Sequence, residues 1–482
     1  MRQFQGKEVR FLRYISTRGD APVLGFEDVL LTGLARDGGL YLPETWPRFS
    51  SDEIRAMRGL TYPQLAVRVM APYVGDAISE SDLTALVTES YRDFGHTAVA
   101  PLKQLDTSLW YMELFHGPTL AFKDYAMQFL GRAFDHVLAR RGERVTVVGA
   151  TSGDTGSAGI EACRDRDAID IFMLYPQGRV SEVQRRQMTT VDAGNVHTLA
   201  IEGTFDDCQD LVKAMFNDTA FRDEMRLSAV NSINWVRIMA QIVYYFQGAL
   251  ALGAPDVPVR FSVPSGNFGN VFAAYAAREM GLPVDQLIIG TNVNDILTRF
   301  FDSGDLTTTT VQPTISPSMD IQISSNFERL LFDLYDRDGA ALAGAMTKFR
   351  ADGRLSVGDN RWKQVRALFD ARRIDDDRTR AEIDRVFKET GELIDPHSAI
   401  GIAAARDARR DLTLPTITLG AAHPAKFPAA VEDACGAFAP LPQRMADLYD
   451  RTEHFTVIPN DIGQVQAYVR AHASSAGQAG AA

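Results

Sequence analysis

The sequence predicts an α/β protein organised around parallel sheets, preceded by a segment of α+β character. Three observations carry this. From about residue 106 onward, short apolar runs alternate with amphipathic stretches, the pattern of strand–helix–strand units. Two of these runs feed directly into glycine-rich turns that open helices, VVGATSGDTGSAG at 147–159 and SVPSGNFGNVFAAYA at 262–276. Residues 1–105 lack such loops and mix short strands with helical patterns.

In chain order, the N-terminal segment reads as a strand at Arg13–Ser16 and helices at Phe26–Leu34, Tyr62–Ala71 and Ser81–Tyr91, with the turn DGGLYLPETWP between the first two helices. Beyond it, strands are expected at Val145–Gly149, Asp170–Leu174, Val196–Ile201 and Val259–Val263. Helices are expected at Ser157–Cys163, Ser181–Met188, Asp206–Phe216 and Trp235–Leu250. The segment 334–390 (with RWKQVRALFDARRIDDD) is charged with a helical period and reads as a solvated insertion. The division is then an N-terminal domain over 1–105, a main unit over 106–465 and a small-residue tail over 466–482, expected to be disordered.

At 482 residues the chain is too long for one core. A net charge of −12 leaves no basic excess to neutralise nucleic-acid phosphates, so no nucleic-acid partner is expected, while a small anion needs only a few local donors. Cys163, Cys208 and Cys435 lie far apart without CxxC spacing, which argues against a disulfide framework or a metal site and for a reducing, cytoplasmic setting. No run reaches the roughly 18 apolar residues of a membrane span, and MRQFQGKEVRFLRYIST has no apolar core of a secretory signal.

The chemistry concentrates in a few stretches. Glycines at a helix start let backbone N–H groups face an anion, which the helix dipole favours. Neither glycine turn is a phosphate loop of the Gly-Lys-Ser/Thr kind, and neither has GxGxxG. The third stretch is ELFHGPTLAFKDYAMQFLG at 113–131, where Lys123 ends the apolar run Leu120-Ala121-Phe122. Alone, this lysine reads as a snorkelling surface residue or as a site amine. An amine held in an apolar pocket has its charged form disfavoured and can attack a carbonyl. A reactive lysine together with a phosphate-binding helix start points to pyridoxal phosphate.

ELFHGPTLAFKDYAMQFLG, GATSGDTGSA, NSINWVR, PSGNFGN, SPSMDIQISSNFERLLF and AHPAKFP occur in this order, with YIST and DGGLYLPE ahead of them. Together they resemble the threonine synthase family, in its bacterial and fungal type with a long N-terminal domain. The resemblance implies a fold-type II pyridoxal phosphate enzyme, in which two α/β lobes clamp the cofactor. It implies conversion of O-phospho-L-homoserine and water to L-threonine and phosphate, the last step of threonine biosynthesis. Lys123 matches the lysine that carries the cofactor. Gly266, Asn267, Phe268, Gly269 and Asn270 match the cradle of the cofactor phosphate, and Asp154 falls beside the pyridine 3-oxygen. The loop with Thr151, Ser152, Gly153 and Thr155 matches the receiver of the substrate carboxylate. Asn231, Ser232 and Arg237 match the residues that hold the substrate phosphate, a role that suits a guanidinium.

Each has a plainer reading as well. Asp154 could be a helix cap, Arg237 a surface residue, and His116 and His423 turn residues beside proline; Lys426 could add positive charge or start a helix. One position departs from the family pattern: Ala421 stands where a threonine usually precedes AHPAKF, which puts in doubt how the pyridine nitrogen is satisfied. Thr418 is nearby, but an odd number of steps away on a strand, and is expected to face the other side. The oligomeric state is left open.

Overall fold

A computed structural model describes residues 12–229 and 231–474. Two sheets form its frame. The larger has six strands in the order Phe369–Arg373, Val284–Thr291, Val259–Pro264, Thr416–Gly420, Leu109–Glu113 and Leu102–Gln104. All its pairs are parallel except the last, which is antiparallel. The smaller has five parallel strands, Thr456–Pro459, Val196–Glu202, Ile169–Pro176, Val145–Ala150 and Leu227–Ser228. Helices cover both, as near-continuous apolar strands require; Ile169–Pro176 is buried along its whole length.

Parallel strands carry their ligand loops at their carboxyl ends. Four such ends matter here: Leu109–Glu113, Val259–Pro264 and Thr416–Gly420 from the larger sheet, and Val145–Ala150 from the smaller. The loop after each supplies a residue of the site described below.

The N-terminal segment shares one apolar cluster with the main unit: Tyr14, Leu30, Tyr62 and Tyr73 belong to it with Tyr125, Trp235 and Phe246. The Trp235 ring lies 5.6 Å from Tyr73 and 6.2 Å from Tyr14, so this segment forms one wall of the main unit. The charged stretch 334–390 is not a solvated insertion. Phe369–Arg373 is the edge strand of the larger sheet, and Leu342, Phe349, Leu355 and Val365 are buried. Charge marked the outer faces of its helices and hid the apolar positions between them.

A second correction concerns the tail. A helix runs over Ile462–His472, capped by the Asp461 side chain, and buries Val465 and Val469 beside Ile458 and Leu211. Ser474 then bonds the Asp170 carboxylate through its N–H and its hydroxyl, each at 3.0 Å. The expectation of disorder from residue 466 therefore fails through 474, and its remainder, 475–482, lies outside the described residues, as does 1–11.

Candidate active site

Lys123 opens the helix Lys123–Arg141 and is 9% exposed. The loop before it is held by its neighbour Asp124, which is fully buried. Asp124 Oδ2 accepts from Thr119 N at 2.9 Å and Ala121 N at 3.4 Å, and Oδ1 accepts the Thr119 hydroxyl at 2.6 Å. These bonds hold Leu120 at φ +63°, a left-handed conformation costly for a branched side chain. A Cβ on Gly117 would come within 2.4 Å of Asp124 Cβ, so glycine is required for the close approach. Asp124→Ala leaves buried donors unpaired and frees the strained turn; urea unfolding is expected to show a loss of about 2–4 kcal/mol.

The Lys123 amine meets Asp154, the first residue of the helix Asp154–Cys163, at 3.3 Å. The other Asp154 oxygen lies 2.7 Å from Lys426 Nζ and 2.9 Å from Gln184 Nε2. Lys426 is fully buried and also donates to Thr119 O at 2.8 Å, tying the HPAKF turn to the Lys123 loop. Burial pushes the Asp154 carboxyl up, but the two ammonium groups outweigh it and hold the group well below the usual carboxylate range. For Lys123 burial wins: with Lys426 and Arg237 nearby it lowers the amine's pKa against the pull of Asp154. Asp154 is thus more than a helix cap, and Lys426 belongs to the site.

His423 caps the short turn that carries Lys426, its Nδ1 accepting from Ala425 N at 3.2 Å. Burial, reinforced by the Arg444 charge, holds the imidazole down at about 4. The unfolded histidine titrates near its ordinary ~6.5, so this group's contribution is complete above that pH and is lost as pH falls from ~6.5 toward ~4. Wild type is expected to lose about 1–2 kcal/mol of stability from this group between pH 7 and 5, and His423→Asn, which keeps a cap acceptor, correspondingly less. Urea titrations at the two pH values measure the difference.

The second glycine turn precedes the helix Gly269–Glu279. Phe268 caps it at φ +65°, its N–H donating to Ser265 Oγ at 3.0 Å. Its ring is buried among Phe301, Phe327 and Phe369. The first-turn N–H groups of Gly269, Asn270 and Val271 have no acceptor among the described residues. A Cβ on Gly266 would lie about 3.0 Å from Ile321 and 3.1 Å from Met319, so the turn is too tight for a larger residue. Such a helix start fits a phosphate group. The side chain of Asn270 points elsewhere. Its Oδ1 accepts from the hydroxyls of Tyr244 and Tyr245, which anchors the helix in the core.

In the first glycine turn, Thr151 Oγ1 accepts from Gly153 N at 2.9 Å and Gly156 N at 2.8 Å, so this hydroxyl shapes the loop. Gly153 has φ +141° and its α-carbon faces the Gln184 amide, where a Cβ would collide at 2.4 Å. Ser152 is exposed and Thr155 half-buried. Neither hydroxyl has a bond among the described residues, so both stay available to a ligand.

Arg237 sits in the first turn of the helix Trp235–Ala251 and is only 4% exposed. Its Nε and Nη1 have no acceptor among the described residues. Burial lowers its pKa to about 10, and its charge is felt by Lys123. A buried cation without an acceptor is costly and suits an anionic ligand. In the preceding turn, Asn231 Oδ1 accepts from Ile233 N at 3.2 Å, and Ser232 Oγ accepts from Asn267 Nδ2 at 2.7 Å. The two predicted anion loops therefore touch.

Three family models match this chain in succession: "Threonine synthase N terminus" over residues 13–91, "Pyridoxal-phosphate dependent enzyme" over 92–348 and "Threonine synthase, C-terminal" over 398–469. The threonine synthase of Pseudomonas aeruginosa is 59% identical over 462 residues, covering 96% of this chain and 98% of that protein. The chain belongs to the threonine synthase family. Another member, from Methylobacillus glycogenes, is 41% identical across 96% of this chain and 100% of its own length. Among solved structures, pyridoxal-phosphate-bound threonine synthase from Brucella melitensis superposes with a TM-score of 0.95 at 55% identity, covering 96% of this chain and 100% of that one. The yeast threonine synthase gives 0.92 at 37% identity, covering 97% and 99%.

As a threonine synthase family member the chain is a pyridoxal-phosphate-dependent lyase of fold type II with a small-molecule substrate. Its residues fit that cofactor: a buried amine of lowered pKa, and a helix start whose N–H groups lack acceptors among the described residues. Among the described residues no helix is long and apolar enough to cross a membrane.

Residue-by-residue sequence reasoning passed over Asp124 and Gln184, which give no signal beyond lying next to Lys123 and inside an ordinary helix. It also passed over His397, whose Nδ1 meets Asp395 at 2.8 Å and whose buried Nε2 has no partner among the described residues. Ala421 is held on both sides by its backbone, its N–H donating to Ser398 Oγ at 2.9 Å and its carbonyl accepting from Phe122 N at 2.9 Å. Thr418 is fully buried, facing Gly401, where a Cβ would lie 3.0 Å from its hydroxyl.

Proposed function

We propose that this site converts O-phospho-L-homoserine and water to L-threonine and phosphate. The observation that carries the reading is Arg237, a buried guanidinium without an acceptor among the described residues, whose charge reaches the Lys123 amine. A buried cation of this kind is accounted for by an anionic group on the substrate, as a phosphate would be.

Lys123 would hold the cofactor, the first turn of the Gly269–Glu279 helix would take its phosphate, and Asp154 would face it from the other glycine turn. When bound, pyridoxal phosphate supplies an electron sink for the carbons next to the substrate amine. Lys123, freed as the substrate binds, would be the base at Cα, a role that the lowering of its pKa by burial favours. The same amine carries a proton from Cβ to Cγ. The Cγ–O bond breaks with its electron pair going to the phosphate, which Arg237, Asn231 and Ser232 receive. Water gives its hydroxyl to Cβ and its remaining proton leaves with the phosphate; Lys123 returns the proton at Cα. Ser152 and Thr155, with the N–H groups of Asp154 and Thr155, which have no acceptor among the described residues, would orient the substrate carboxylate.

Product analysis tests the reading. Incubation with O-phospho-L-homoserine is expected to release L-threonine and phosphate in equal amounts. Formation of 2-oxobutyrate in place of threonine, or no phosphate release, would overturn it.

A further inference from the structure

The motif SSNFERLLF contains a second buried arginine and an asparagine that take no part in the reaction steps above. Asn326 and Arg329 are both fully buried. Asn326 grips Asn267 twice: its backbone N–H donates to Asn267 O at 3.2 Å and its Nδ2 to Asn267 Oδ1 at 2.6 Å. The same Nδ2 donates to Ser232 O at 3.1 Å. Asn267 in turn donates to Ser232 Oγ at 2.7 Å, which closes a ring of three residues drawn from three separate segments.

Arg329 sets the direction of that ring. Its Nη1 donates to Asn326 Oδ1, so the amide cannot flip without turning its own donors against a guanidinium. Its Nη2 donates to Ile233 O at 2.6 Å, fixing the turn after Ser232, and its Nε to Tyr41 O at 2.9 Å in the N-terminal segment. Among these acceptors there is no carboxylate, so the charge is spent on orienting carbonyl and amide oxygens. Phe327, between the two, packs edge-on against the Phe268 ring at 4.9 Å.

We infer that Asn326 and Arg329 are positioning residues that lock Ser232 and Asn267 into one surface for the substrate phosphate. This rests on the substrate reading above. The test is Asn326→Asp, because a carboxylate keeps the volume and still accepts from Arg329 but cannot donate to Asn267 Oδ1 or Ser232 O. Arg237→Met serves as the comparison. Binding of inorganic phosphate to the cofactor-loaded protein is followed by calorimetry, beside KM and kcat for O-phospho-L-homoserine, cofactor affinity and thermal stability.

In Asn326→Asp, phosphate affinity is expected to fall, and KM to rise, roughly tenfold to hundredfold, with kcat within about threefold. Melting temperature should fall by about a few degrees, since two buried oxygens are left facing a carboxylate, and cofactor affinity should fall far less than phosphate affinity, although Asn267 also lies in the turn matched to the cofactor phosphate. Unchanged phosphate affinity in Asn326→Asp, with a loss in Arg237→Met, overturns the inference and leaves the substrate reading standing. An equal fall in phosphate and cofactor affinity overturns it too, since that is a general structural role. Unchanged phosphate affinity in both variants removes the substrate-phosphate assignment, and this inference with it.

Discussion

Lys123→Ala is expected to lower turnover of O-phospho-L-homoserine by about 10⁴-fold or more, since in the proposed reaction one side chain would serve as cofactor anchor, base and proton carrier. The substitution should leave the fold intact. Alanine is a good first-turn helix residue, and the loop ahead of it is pinned by Asp124. A second readout separates loss of chemistry from loss of structure: borohydride treatment should fix cofactor irreversibly to wild type and not to Lys123→Ala. Asp154 and Lys426 would then form a pair without Lys123, at the 2.7 Å already present.

Arg237→Met carries the second largest effect, and it runs in opposite directions for activity and for stability. Charge-assisted bonds to the substrate phosphate are worth about 1.5–3 kcal/mol each, so kcat/KM should fall about 10²–10³-fold. KM rises because ground-state binding is lost, and kcat falls because charge on the phosphate grows as its bond to carbon breaks. Cofactor binding should survive. The ligand-free protein should be at least as stable as wild type, because the substitution removes a buried charge that lacks an acceptor among the described residues. Thermal unfolding without substrate measures this, and a large loss of stability would mean that Arg237 has a structural partner.

The sequence made the architecture legible wherever period and punctuation agreed. Val145–Ala150 and Val259–Pro264 are mostly apolar, broken only by Thr146, Arg260 and Ser262, each is followed by a glycine turn, and both are central parallel strands. The 334–390 stretch misled because charge at its helix faces outnumbered the few apolar residues that decide burial, Phe349, Val365 and Phe369 among them. In the site, Lys123 and Arg237 could be named because their neighbours in the chain form motifs. Their electrostatics could not be read the same way. Lys426 stands 303 positions beyond Lys123, and only the fold brings both ammonium groups to one carboxylate. Asn270 shows the converse: it falls within the cradle motif, yet its side chain faces two core tyrosines.

The central claim is that phosphate leaves from carbon in a site where Lys123 moves protons and Arg237 receives the anion. Turnover in H₂¹⁸O tests it most directly. The account predicts one ¹⁸O in the threonine hydroxyl and none in the released phosphate, as analysed by mass spectrometry of both products. Label in the phosphate would mean that water attacks phosphorus, and would contradict the account.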